Sequence, residues 1–84
     1  MAKNIIRGKE LTTEKENQQV LENGMVLINL QVLNSGSATT HVVLNDGDAI
    51  PLKEGEAISL GDVPIASFVI VENGAKIKYI GVEY

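Results

Sequence analysis

From Met25 onward this chain never runs more than about a dozen residues without a turn signal, and between the signals its apolar residues alternate instead of recurring at helical spacing. That pattern admits short strands and excludes helices of useful length. Val26-Leu27-Ile28-Asn29-Leu30-Gln31-Val32-Leu33 reads as a strand. It places Val26, Ile28, Leu30 and Val32 on one face, opposite Asn29 and Gln31. Asn34 to Ser37 is a turn cluster, and Thr39 to Leu44 is β-branched and strand-prone. Asn45-Asp46-Gly47-Asp48 contains an Asp-Gly pair suited to a tight hairpin with positive φ. Pro51 cannot donate to a ladder, so Ile50-Pro51-Leu52 belongs at a sheet edge or a bulge. Lys53 to Glu56 turns into Ala57-Ile58-Ser59-Leu60, and Gly61-Asp62-Val63-Pro64 breaks the chain again.

Asn73-Gly74 is the strongest local hairpin signal. A two-residue loop there sets Glu72 opposite Ala75, Ile70 opposite Ile77 and Phe68 opposite Tyr79. Lys76 and Lys78 need water, so Phe68, Ile70, Ile77 and Tyr79 face the core. Val69, Val71, Ile80 and Val82 then share the opposite side. Four apolar residues on one outer face exceed what a monomer usually exposes, so they are the expected self-association surface, with a homotrimer as the first expectation. The N-terminal segment could cover the same face within one chain.

The first 24 residues carry the weakest signal. Asn4 to Arg7 fits a short strand, and Thr13-x-x-Glu16 fits a helix capping box. Only Val20 and Leu21 follow as apolar positions, too few for a buried helical face. The stretch reads as a loop, arm or edge segment with at most one helical turn. The whole chain is therefore expected to be one all-β domain, residues 1–84, a small antiparallel sandwich or barrel of jelly-roll-like character with about seven or eight short strands.

At 84 residues there is room for one core. With 44% hydrophobic and 21% charged residues the chain is globular in composition. It has no cysteine, hence no disulfide, thiol nucleophile or thiolate metal site. The formal net charge of −4 opposes nucleic-acid binding. Residues 43–84 carry three lysines against seven acids, so the deficit lies there, around turns that acids keep solvated. No apolar run is long enough to span a bilayer, and the N-terminus lacks the apolar run of a signal peptide, so synthesis in a cytosol without membrane insertion is expected.

No catalytic constellation stands out. His41 is the single histidine and sits mid-strand, where an ordinary strand role is expected rather than metal binding or catalysis. Asn45 to Glu56 has the span of an EF-hand loop, but Ile50 stands where glycine is needed. Glu54 and Glu56 flank Gly55 on a turn with no aromatic platform for a sugar. No cofactor, metal or catalytic residue is expected.

One stretch carries a resemblance. Ile50-Pro51-Leu52-Lys53-Glu54-Gly55-Glu56-Ala57-Ile58-Ser59-Leu60 leads to Val63-Pro64-Ile65-Ala66-Ser67-Phe68-Val69-Ile70, then to Asn73-Gly74-Ala75-Lys76-Ile77-Lys78-Tyr79-Ile80-Gly81-Val82. This resembles the small β domains of tailed-phage head-fibre and capsid-decoration proteins. The resemblance implies a non-enzymatic structural protein on the capsid exterior of a virion, commonly a trimer. Its partner would be the major capsid protein or another virion protein, with residues 1–24 contributing to that contact. It implies no catalytic residues. The alternatives are a small cytosolic ligand- or carbohydrate-binding module and a tail or baseplate adaptor. The spacing of Gly47, Gly55 and Gly61-Asp62 is also similar to the second half of a cupin barrel, whose several metal-binding histidines this chain lacks.

Overall fold

Eight strands and no helix make up the computed structural model, which describes residues 4–84. They are β1 (Ile5–Thr12), β2 (Gln18–Gln19), β3 (Leu27–Asn34), β4 (Thr40–Leu44), β5 (Ala49–Leu52), β6 (Ala57–Ser59), β7 (Phe68–Ile70) and β8 (Lys76–Glu83). One sheet has the order β1-β8-β3-β6, here sheet A; the other, sheet B, has the order β2-β7-β4-β5. Every ladder is antiparallel. The order follows from folding one long hairpin. If β4 and β5 form its tip, β3 lies against β6, β2 against β7 and β1 against β8. Wrapping that ribbon on itself brings β8 beside β3 and β7 beside β4. This is a jelly roll, and it delivers the expected all-β sandwich.

Rolling has a consequence for the connections. Only β4–β5 stays within one sheet; the other six connections cross between sheets. The Asn73-Gly74 turn is one of the crossings, so the expected terminal hairpin does not form. Ile70 pairs with Val42 and Gln18 in sheet B, whereas Ile77 pairs with Leu11 and Asn34 in sheet A. A turn signal reverses the chain but does not choose its ladder partner. The inward face is the expected one: Phe68, Ile70, Ile77 and Tyr79 are all buried. Phe68 and Tyr79 meet across the core from opposite sheets, ring centroids 5.7 Å apart and edge to face at 81°.

The β3 alternation also needs correction. Asn29 has φ 53° and forms a bulge, so Asn29 and Leu30 together oppose Gly81 between the pairs Ile28↔Val82 and Gln31↔Ile80. The extra residue inverts the pleat. Leu27 before it and Leu30 and Val32 after it are buried, while Ile28 turns outward and Val26 is only half-buried. Gly81 lies close against β3 there: a Cβ would stand 3.2 Å from Leu27 Cδ1 and would need that side chain to shift by a few tenths of an ångström.

The hairpin at the tip turns on Asn45-Asp46, not Asp46-Gly47. Asn45 and Asp46 have φ of 50° and 58°, and Gly47 N–H donates to Leu44 O at 3.0 Å, a type I′ turn. Pro51 lies in β5, an edge strand as expected. Residues 5–12 are an edge strand of sheet A rather than a loop or free arm; Met1 to Lys3 of the proposed arm lie outside the described residues. The capping box does not form. Thr13 is buried, and its Oγ1 donates to Glu72 O at 2.6 Å and accepts from Ala75 N–H at 2.9 Å.

Asn34, fully buried at the end of β3, makes the corresponding junction elsewhere. Its Nδ2 donates to Ala38 O at 2.9 Å and Leu52 O at 2.8 Å, and its Oδ1 accepts from Gly36 N–H at 2.9 Å. Replacing Asn34 by Leu strands the buried Leu52 carbonyl and removes the partners of the half-buried Ala38 carbonyl and Gly36 N–H, and should cost about 2–4 kcal/mol. Phe68→Ala should cost about 3–5 kcal/mol by cavity formation. Urea unfolding checks both; a loss below about 1 kcal/mol in either variant would contradict the packing described.

Candidate functional site

Two features offer chemistry or binding surface, one on each outer face. On sheet A, the register gathers side chains into rows, since residues directly opposite in a ladder share a face. Ile6, Val82 and Ile28 form one row; Gly8, Ile80, Gln31 and Ser59 the next; Glu10, Lys78, Leu33 and Ala57 the third. Gly8, Ser59 and Ala57 on the edge strands are small beside the larger side chains of β8 and β3. The result is an open groove of about 570 Å³ bordered by Gly8, Glu10, Gln31, Leu33, Ala57, Lys78 and Ile80. Ile6 is 63% and Ile80 49% exposed, so this face presents branched apolar side chains to solvent. Glu10 and Lys78, opposite in register, give it one charge of each sign. Arg7, on the inner side of β1, ties this edge to β8 through Glu83, with Nη2–Oε2 at 2.9 Å.

On sheet B, His41 of β4 and Glu72, just past β7, form a linked pair 31 residues apart in sequence. His41 Nδ1 lies 2.5 Å from Glu72 Oε2, and the His41 backbone N–H donates to Oε1 at 2.7 Å. Burial pushes the Glu72 carboxyl up, but the backbone and ring hydrogen bonds from His41 together outweigh it and hold the group below its ordinary value. The carboxylate thus orients the imidazole and closes the end of the β4–β7 ladder. Among the described residues no three His, Asp or Glu side chains converge on a point that could hold a metal ion. His41 is in a strand, as expected, but its partner was not legible from the sequence.

The four expected self-association residues do not share a face. Val69 lies in β7 and Val71 just beyond it, on sheet B, while Ile80 and Val82 are in β8 of sheet A. The grouping depended on the hairpin, and the roll sends the two halves to opposite sides of the sandwich. Sheet B's outer row, Gln19, Val69, Val43 and Ala49, carries no charge. No helix among the described residues is long and apolar enough to cross a membrane.

Comparison with known proteins finds no match among family models, curated proteins or solved structures.

The Glu72 contact has a definite pH signature. A carboxyl held below its unfolded value contributes stability that is present above the unfolded value and lost as pH falls through the folded one. Wild type should therefore exceed Glu72→Gln in stability at neutral pH. The difference should shrink as pH drops below the ordinary glutamate range. Thermal unfolding of both proteins across the acid range checks this; a difference independent of pH would show that the carboxylate's charge contributes nothing.

Proposed function

We propose that this protein is a non-enzymatic structural module of a phage virion that decorates the capsid exterior, docking through the outer face of sheet A. The observation that carries the reading is the groove between Ile80, Leu33 and Lys78, open and mostly apolar on the outer face of sheet A. A broad face of this kind suits a protein surface better than it suits a small enclosed substrate. The jelly roll adds support by analogy, because that architecture recurs in viral capsid domains, although it also serves lectins and cupins. The likeness of the last 35 to 40 residues to head-fibre and decoration domains points the same way.

A decorating protein that also self-assembles needs two surfaces. The split of Val69 and Val71 from Ile80 and Val82 supplies them. In this proposal sheet A meets the capsid, and the uncharged row of Gln19, Val69, Val43 and Ala49 on sheet B meets neighbouring copies in a trimer. Residues 1–24 contribute through β1, whose Ile6, Gly8 and Glu10 belong to the sheet A face.

Deleting residues 1–22 is a poor test, because it removes β1, β2 and the Thr13 contacts. A surface change isolates binding from folding. Ile80→Asp, at a half-exposed position of a central strand, should cost about 1–2 kcal/mol and leave the protein folded, while abolishing binding to undecorated heads. Sedimentation equilibrium should give three times the 9.0 kDa protomer mass. Wild-type protein that never binds heads would remove the virion reading and leave the soluble ligand-binding module in its place. Binding that survives Ile80→Asp would remove sheet A as the docking face.

A further inference from the structure

We propose that Asn23-Gly24 is a site of spontaneous backbone modification, a covalent timer, and that the fold suppresses the same chemistry at Asn73-Gly74. The reaction is intramolecular. The Gly24 amide nitrogen, having lost its proton to hydroxide or water, attacks Asn23 Cγ. A new N–Cγ bond forms, the Cγ–Nδ2 bond breaks, and the side-chain nitrogen leaves as ammonia after taking up a proton. The resulting cyclic imide adds water. Cleavage at Cγ gives aspartate on an unchanged backbone; cleavage at the main-chain carbonyl gives isoaspartate, with one extra methylene in the backbone. No oxidant, metal or enzyme takes part.

Glycine after asparagine is the favourable case because no Cβ obstructs ring closure. The nitrogen must also be free to lose its proton, and here the structure discriminates. Asn23 and Gly24 are exposed at the centre of a turn closed by Met25 N–H donating to Glu22 O at 3.0 Å. Gly24 has φ 84° and nothing within 4 Å of where a Cβ would stand. Among the described residues neither its N–H nor the Asn23 amide makes a hydrogen bond.

Asn73-Gly74 is equally exposed, but the Gly74 N–H donates to Thr13 O at 2.9 Å. The adjoining Glu72 carbonyl and Ala75 N–H are both held by Thr13 Oγ1, so the turn cannot rearrange without releasing a buried side chain. Asp46-Gly47, which can form the same ring with loss of water, has its Gly47 N–H bonded to Leu44 O. Asn34-Ser35 is closed as well: the Asn34 amide donates twice, and Ser35 N–H donates to Lys76 O at 3.0 Å. Of these four sequences, only Asn23-Gly24 presents an unengaged nitrogen.

Conversion matters locally. Asn23 lies between Leu21, buried in the core, and Met25, packed against it. An isoaspartate there lengthens a short tether between two anchored side chains and adds a negative charge beside Glu22.

The test is to hold the full-length protein at mildly alkaline pH, native and in denaturant. Peptide mapping then follows the amide-to-acid mass change and isoaspartate at both sites. In the native protein Asn23 should convert roughly tenfold faster than Asn73, the factor expected from one retained hydrogen bond. In denaturant, where both sites are free and share the same Asn-Gly chemistry, the two rates should converge. Equal native rates, faster conversion at Asn73, or a ratio that persists in denaturant would overturn the proposal.

Discussion

The buried amide of Asn34 joins three separate segments of this fold. It sits at the end of β3 in sheet A, reaches the Leu52 carbonyl at the end of β5 in sheet B, and holds the loop to β4 through Ala38 and Gly36. Its backbone closes the β5–β6 turn as well, donating to Glu56 O and accepting from Gly55 N–H, each at 2.9 Å. A jelly roll requires such junctions. Each crossing between sheets leaves peptide groups that neither ladder can pair, and buried peptide groups need partners. One short amide supplies them for two adjacent crossings.

Thr13 does the same between the β1–β2 and β7–β8 crossings, and Asn45 does so at the tip. The Asn45 carbonyl oxygen accepts from Ala66 and Ser67 N–H, and its Nδ2 donates to Pro64 O, fastening the approach to β7. No buried side-chain nitrogen or oxygen among the described residues lacks a partner. The apolar core supplies most of the driving force, since burial scales with area. These three polar side chains pair peptide groups at the crossings where the ribbon rolls. Their siting leaves Ile6 and Ile80 of sheet A's outer face exposed to solvent.

Much of the fold was legible because strand period and turn chemistry are local. Pro51 at an edge, the inward set of Phe68, Ile70, Ile77 and Tyr79, and the all-β class all follow from neighbours in sequence. What failed was non-local. Asn73-Gly74 announces a reversal, and hairpins and sheet crossings use the same reversal. The β3 bulge depends on Asn29 tolerating a left-handed conformation opposite Gly81, a pairing fixed only when β8 arrives. β1 shows a strand signal only over Asn4 to Arg7, and an arm reads as well as an edge segment there, because both its faces are largely solvated and it lacks the alternation that marks a strand covered on one side. The sheet A groove draws on β1, β3, β6 and β8, and the His41–Glu72 pair on two distant segments, so neither had a local signature.

The central claim is that side-chain junctions, not local turn geometry, hold the sheet crossings closed. Amide hydrogen exchange tests it most directly at Ala75 and Gly36, which lie outside any strand and donate to Thr13 Oγ1 and Asn34 Oδ1. The account predicts that both exchange only on global unfolding, as slowly as Val42 in the centre of sheet B. Exchange of either amide at the rate of an open turn, while Val42 stays protected, would contradict it.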